Sequence, residues 1–307
     1  MFSRKLKDIF AGRLMLAAAI LSSLLLPIMA VALYQRAKPI LDAKSLGELL
    51  LGSTWMPFQG EFGFLPFIMG TLYVTLLSMV IAVPLSILCA IYLAEYAHEN
   101  VRQKILPVID LLAGIPPVVY GVWGVLAVVP AISYIAPVIG NLGIPFLTAR
   151  SYSTGYSLLA GGIVLAIMVF PIIISISEQV LRAVPFDIRE ASLSLGATRW
   201  QTIKQAVIRI AYPGIAAAII LGFSRAIGET MAVLMVVGNV PNIPSSVFDS
   251  AYPLTALIAN NYGEMMSIPL YDSALLLAAL ILMLVILFFT VAARLILIGI
   301  RRSMSHG

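Results

Sequence analysis

Six stretches of this chain lack charge, or nearly so, over the length that a membrane crossing needs, and they decide what it can fold into. A span takes about 20 apolar residues. Leu14 to Tyr34 is charge-free and long enough, and it is the first. Gly63 to Ala94 contains the second. Leu111 to Ala149 is also charge-free but too long for one helix. Pro116, Pro117, Pro130, Pro137 and Pro145 break it, which predicts a third span over 112–134 and an irregular external loop beyond. Ser157 to Ser177 is the fourth. Tyr212 to Val237 is the fifth, interrupted by Arg225 and Glu229, and Ser273 to Ala293, extending towards Ile300, is the sixth.

So much apolar surface cannot be hidden in one soluble core. The chain is 61% hydrophobic and 11% charged, against about 25% charged in soluble domains, and its mean hydropathy is +1.03. In lipid only helices and closed barrels satisfy their backbone polar groups. The runs are continuous and lack the apolar/polar alternation of a barrel strand. The predicted fold is therefore all-α and integral to the membrane, with six transmembrane helices.

Basic residues orient it. Lys and Arg favour the cytoplasmic side. With the N-terminus inside, fourteen of the nineteen fall in inner segments and four (Arg36, Lys38, Lys44, Arg150) in outer ones, while Arg225 lies within a span. Both termini are then cytoplasmic, and the net charge of +5 reads as basic inner loops beside lipid rather than as nucleic-acid binding. The basic start, apolar stretch and Ala30-Val31-Ala32 also resemble a cleavable signal. The run is long for one, and six spans suit the charge bias, so a retained anchor is expected. Residues 35–62, with balanced charges, Gly and Pro, are expected to be an irregular external loop.

The chemistry-bearing residues are few. Cys89, the single cysteine, sits in an apolar run and reads as packing. His98 and His306 have no motif around them, and no Cys/His spacing suits a metal. There is no G-x-x-x-x-G-K-[ST] phosphate loop, so no cofactor is expected in this chain, and any ATP must be bound by a partner subunit. No nucleophile, metal or acid–base set converges, which argues against an enzyme.

The longest inner loop, 178–212, is too polar to span. Pro185 to Glu190 reads as a helix start, with Asp187 near the positive end. Gly196 breaks it and Thr198 can cap a second helix over Trp200 to Ile210, with Ile203, Val207 and Ile210 at helical spacing. Two helices joined at a glycine suit docking to a soluble partner. They equally suit an interfacial helix whose Arg199, Lys204 and Arg209 meet anionic headgroups.

Arg225 and Glu229 are four apart, which on a continuous helix places them on one face. An ionised side chain at the bilayer centre costs at least about 2.5–3.5 kcal/mol and marks a functional site by default. One reading is a self-neutralising pair that locks two helices. The other is a substrate path: a guanidinium fork suits oxyanions at any working pH, and a competing carboxylate weakens its hold so that the anion leaves.

Two sets of residues resemble known families. Glu190-Ala191-Ser192-Leu193-Ser194-Leu195-Gly196-Ala197-Thr198-Arg199-Trp200 is similar to the EAA motif of binding-protein-dependent ABC importer permeases. Ser192 replaces the motif's second alanine. Ala206 stands where a branched apolar residue is usual and Ile208-Arg209 where Leu-Pro is usual, although Pro213-Gly214-Ile215 follows at the familiar distance. Arg225 to Val233 with Gly238-Asn239, Gly70-Thr71-Leu72, Tyr92 to Ala97, and Gly114 to Gly124 resemble the C-type subunit of phosphate-specific permeases. Most relatives have serine where Pro117 stands.

The resemblance implies a type I ABC importer permease bundle of the MetI-like kind. It divides the chain into a cytoplasmic N-terminus (1–13), a first transmembrane helix (14–34), an external loop (35–62), a core (64–297) with a cytoplasmic coupling loop (178–212), and a cytoplasmic tail (298–307). It implies a plasma (inner) membrane location, a heterodimer with an A-type permease subunit, an ATP-binding cassette ATPase dimer, and an external phosphate-binding protein. Arg225, Glu229 and Thr230 would line the substrate pathway, and Glu190, Ala191, Ser192, Gly196 and Arg199 would couple to the ATPase. The glycines at 114, 121 and 124 would allow close helix approach, and Tyr120 and Trp123 read as packing. The rivals are another oxyanion (molybdate or sulfate) and a proton-coupled secondary transporter using Glu229.

Overall fold

A computed structural model describes residues 2–140, 146–148, 154–264 and 268–305. The loop expected after the third span, Arg150 included, falls partly outside these residues, as does His306.

Among the described residues six helices are long and apolar enough to cross a membrane. The first, α1 (Phe2–Ala43), runs past both expected bounds. Residues 35–62 are more ordered than expected. After α1 come α2 (Leu46–Leu51), whose N-cap Ser45 accepts a hydrogen bond from the Glu48 amide, and a short antiparallel pair, β1 (Trp55–Met56) and β2 (Glu61–Phe62). The cause is aromatic. Trp55 stacks edge-on against Phe62 and Phe67, with ring centroids 5.5 and 4.9 Å apart, and Phe64 and Tyr271 close the cluster. Such rings bury large apolar area in specific geometries, and here they tie the hairpin to α3 (Leu65–Ile91).

α3 continues through a π turn, Tyr92–Tyr96, before α4 (Glu99–Gly114). Span three starts at Pro117, five residues later than expected, and reaches Gly140: α5 (Pro117–Trp123), a π turn, and α6 (Val129–Gly140) form one rod. Pro116-Pro117 starts it, since proline is preorganised for the first helical turn. Pro130 and Pro137 do not break it, because neighbouring helices can re-satisfy the freed carbonyls.

Span four, α7 (Leu158–Arg182), is the spine of the bundle. α3 lies closely along it. A Cβ on Gly162 would meet Leu77 at 2.8 Å, and one on Gly161 would touch Val74 and Val233 at ordinary contact distance. α8 (Phe186–Ser194) follows. α9 (Arg199–Thr202), a π turn at Ile203–Val207 and α10 (Ile208–Ile227) then form one continuous rod. The helix expected over 200–210 is therefore not a separate piece but the foot of span five. α10 also docks on α7 through glycine, with Gly214 against Val180 and Gly222 against Ile173 and Val169.

The rod stops at Ile227, midway along α7. Two short helices, α11 (Met231–Val236) and α12 (Leu254–Asn261), precede the last span, α13 (Tyr271–Ser305). The irregular backbone between them is held by bonds to its neighbours. Leu158 and Leu159 amides donate to Asp249 and Val247 carbonyls, Ser157 to Val236, and Ala251 to Val237. Thr71 Oγ1 accepts from the Leu254 amide at 2.9 Å. At membrane depth such backbone survives only where protein or a wet cavity covers it.

Candidate functional site: a broken helix and a charged elbow

The first site is the break in span five. Arg225 and Glu229 do not share a helix face, because α10 ends at Ile227 and Gly228 forms its C-cap. Glycine is a poor helix residue, and once the rod stops each charge serves its own half. Arg225 stands in the last turn of α10, where a cation complements the negative end of the helix dipole. Glu229 turns the other way, and its Oε1 accepts from the Thr230 and Ala232 amides at 3.1 and 3.5 Å. It caps the start of α11. Thr230 is half-buried, and its hydroxyl lies 3.4 Å from the Gly228 carbonyl.

No hydrogen bond or ion pair joins Arg225 to Glu229 among the described residues. Arg225 is exposed on the surface of the single chain. It stands one turn beyond Gly222, which packs midway along α7. Tyr120 is buried and donates to the Leu112 carbonyl at 2.8 Å, in keeping with a packing role. Two of the three glycines act as expected. A Cβ on Gly121 would meet Met235 Sδ at 2.6 Å and one on Gly124 would meet Val164 and Val236, so both let α11 lie against α5 and its extension. Gly114 has open space. Asn239 caps the far end of α11 through Nδ2 and the Leu234 carbonyl, 2.9 Å apart, and its buried Oδ1 has no partner.

The second site lies at the opposite end of the rod. Gly196 adopts φ +84°, a left-handed conformation that favours glycine, and it separates α8 from α9 as expected. Thr198 and Gln201 form a capping box that starts the rod. The elbow's outer face holds Glu190, Ala191 and Gly196, all exposed. Leu195, 90% exposed, and the well-exposed Phe186, Leu193 and Trp200 add apolar surface. Ser192 Oγ lies 3.0 Å from Thr202 Oγ1, bracing the two arms.

Beneath this face is an ion-pair network that reading the sequence missed. Arg189 Nη2 meets Glu95 Oε1 at 2.7 Å and donates to the Leu181 carbonyl at 2.9 Å, while Nη1 donates to the Val184 carbonyl. Arg199 donates to the Glu95 carbonyl and lies 4.7 Å over the Tyr96 ring. Arg102 joins the almost fully buried Glu178 at 2.6 Å and Glu99 at 2.8 Å, and Arg182 reaches Glu99 at 3.2 Å. The hydrogen bond from Arg182 comes first among the interactions that hold the Glu99 carboxyl below its ordinary value. A cavity of about 760 Å³ opens between these groups, lined by Glu95, Arg182, Arg189 and Arg199. The available signal was Glu178, a carboxylate four residues before the end of an apolar helix, which a count restricted to Lys and Arg passes over.

Residues 82–302 match the profile of the binding-protein-dependent transport system inner membrane component family. The chain is 43% identical over 218 residues to a probable ABC transporter permease of Bacillus subtilis, covering 70% of this chain and 66% of that protein. It is 37% identical to the phosphate transport system permease protein PstC of Xylella fastidiosa, over 81% of this chain and 78% of that one. To the protein of that name in Mesorhizobium japonicum it is 35% identical, over 92% and 88%. Among solved structures, the MetNI methionine ABC transporter superposes with a TM-score of 0.55 at 18% identity, over 75% of this chain and 93% of that one. A bacterial ABC transporter involved in alginate import gives 0.54 at 18%, over 94% and 98%. These likenesses show the fold, that of a type I importer permease. With six helices among the described residues long and apolar enough to cross a membrane and a profile match over most of its length, this chain is a multi-pass membrane protein that belongs to the binding-protein-dependent transport system inner membrane component family.

Proposed function

We propose that the chain is the C-type permease subunit of an ATP-driven phosphate importer, sharing its passage with an A-type permease. Arg225 carries this reading. A guanidinium exposed halfway along the bundle is costly against lipid, and it is stable only where its face meets a partner subunit or a watery passage. Its charge-assisted, forked hydrogen bonding suits a tetrahedral oxyanion. The named phosphate permeases among the relatives supply the anion. In this reading Arg225, Glu229 and Thr230 line the pathway, with Glu229 holding the second half-helix in register rather than gripping the arginine.

The elbow is the ATPase coupling site, with Glu190, Ala191, Ser192, Gly196 and Arg199 its principal residues. Its exposed Phe186, Leu193, Leu195 and Trp200 are the apolar surface that a soluble partner would cover. ATP is bound and hydrolysed by that partner, an ATP-binding cassette dimer. The elbow end and both termini are cytoplasmic, as the Lys/Arg bias requires, in the plasma (inner) membrane, and a phosphate-binding protein docks on the outside. Glu229 is engaged as a helix cap, which leaves no observation in favour of a proton carrier.

Replacing Arg225 with Gln keeps the side chain's reach and removes the charge. Phosphate uptake by the assembled importer is expected to fall about 10–100-fold, the worth of charge-assisted hydrogen bonds, with assembly intact. Unchanged uptake would remove the arginine from the path. Sulfate or molybdate outcompeting phosphate would reassign the cargo.

A further inference from the structure

We propose that Glu95 and Arg189 form a strut that carries motion from the elbow into span two. The inference rests on the coupling role proposed for the elbow. It adds the route by which a displacement there enters the bundle, and the residues that make the connection.

Three observations carry it. The Arg189 fork is engaged on two sides: Glu95 beside α3, and the carbonyls of Leu181 and Val184 at the end of α7. Both side chains are largely buried, at 14% and 9% exposure, so solvent screens the pair weakly. α8 therefore has a charge-assisted grip on both central helices. Second, the other arm of the elbow grips the same short segment. Arg199 donates to the Glu95 carbonyl and lies over the Tyr96 ring. Glu95 and Tyr96 are held from either side of the Gly196 joint, so the arms cannot move together without taking them along. Third, the gripped segment is a π turn, Tyr92–Tyr96, directly continuous with α3. Such turns are rare and recur at functional positions. Here it places the Glu95 carboxylate against Arg189 at the foot of the span.

The rest of the network makes a different connection. Arg102, Glu178, Glu99 and Arg182 bind α4 to α7 and do not reach α8 or α9. Breaking that half loosens the base of the bundle, whereas breaking the Glu95–Arg189 half disconnects the elbow. Both residues are positioning residues: neither is placed on the cargo or on ATP.

The test is a double-mutant cycle of Glu95→Gln and Arg189→Gln in the complete importer reconstituted in vesicles. The readout is phosphate transported per ATP hydrolysed. A residue that serves folding alone lowers assembly and both rates together, leaving that ratio unchanged. The strut predicts that each single variant assembles, continues to hydrolyse ATP and loses about tenfold in the ratio, within the range expected for residues that carry coupling. The double variant falls no further than the worse single one, as for residues acting as one unit. Arg189→Lys, which keeps the charge but not the fork, recovers part of the loss. An unchanged ratio in the single variants, or losses that multiply in the double, would overturn the strut. Vesicles of the unmodified importer that take up no phosphate on ATP would instead sink the functional reading beneath it.

Discussion

The helix break and the elbow treat charge in opposite ways. At the break, Arg225 and Glu229, four residues apart, are separated because Gly228 ends the helix between them, and each serves its own half-helix end. At and beneath the elbow, Arg189 and Glu95, 94 residues apart, and Arg102 and Glu178, 76 apart at the base of the bundle, are brought to 2.7 and 2.6 Å. The difference is what the proposed roles require. A pathway charge would have to stay uncommitted to bind and release an ion, whereas a load-bearing joint would have its charges committed, buried and multiply bonded.

The strongest way to break this comparison is Arg102→Gln. It leaves Glu178, 1% exposed, as a buried carboxylate without its main partner, a loss that costs about 3–5 kcal/mol. Thermal unfolding in detergent should show a large drop, and an unchanged midpoint would mean that the charges beneath the elbow are not committed as described. Glu229→Ala removes only a cap. It should cost about 1 kcal/mol, a small shift by the same measurement. A loss as large as that of Arg102→Gln would place Glu229 in a buried pair after all.

The smallest effect concerns acid. The Glu99 carboxyl is held below its ordinary value of 4.5, chiefly by Arg182. A lowered folded value means that its contribution to stability is complete above the unfolded value and is lost as pH falls through the lower, folded one. Titrating below about pH 4.5 should therefore loosen the contact between α4 and α7 slightly, and Glu99→Gln should flatten that part of the stability profile.

Much of the bundle was legible because lipid imposes a blunt requirement: about 20 apolar residues per crossing. The elbow's joint was legible because Gly196 and Thr198 act locally, one through its backbone freedom and the other through its cap. Three features were not legible. α4 is half polar, and its sequence reads as an inner loop until Arg102 is seen against Glu178. The ordered hairpin after α1 depends on Trp55 meeting Phe67 and Tyr271, contacts outside its own sequence. The helix break was hidden because the spacing of Arg225 and Glu229 fits a continuous helix, and only the fold shows the rod ending at Ile227 and Glu229 bonding to Thr230 and Ala232. Local chemistry reads well from sequence, whereas long-range ion pairs need the fold.

The central claim is that Arg225 faces water within the membrane. Arg225→Cys in a Cys89→Ser background presents one thiol at that position, to be labelled with a negatively charged, water-soluble thiol reagent in the assembled importer. The account predicts labelling in at least one nucleotide state. A thiol that stays unlabelled in every nucleotide state would contradict it.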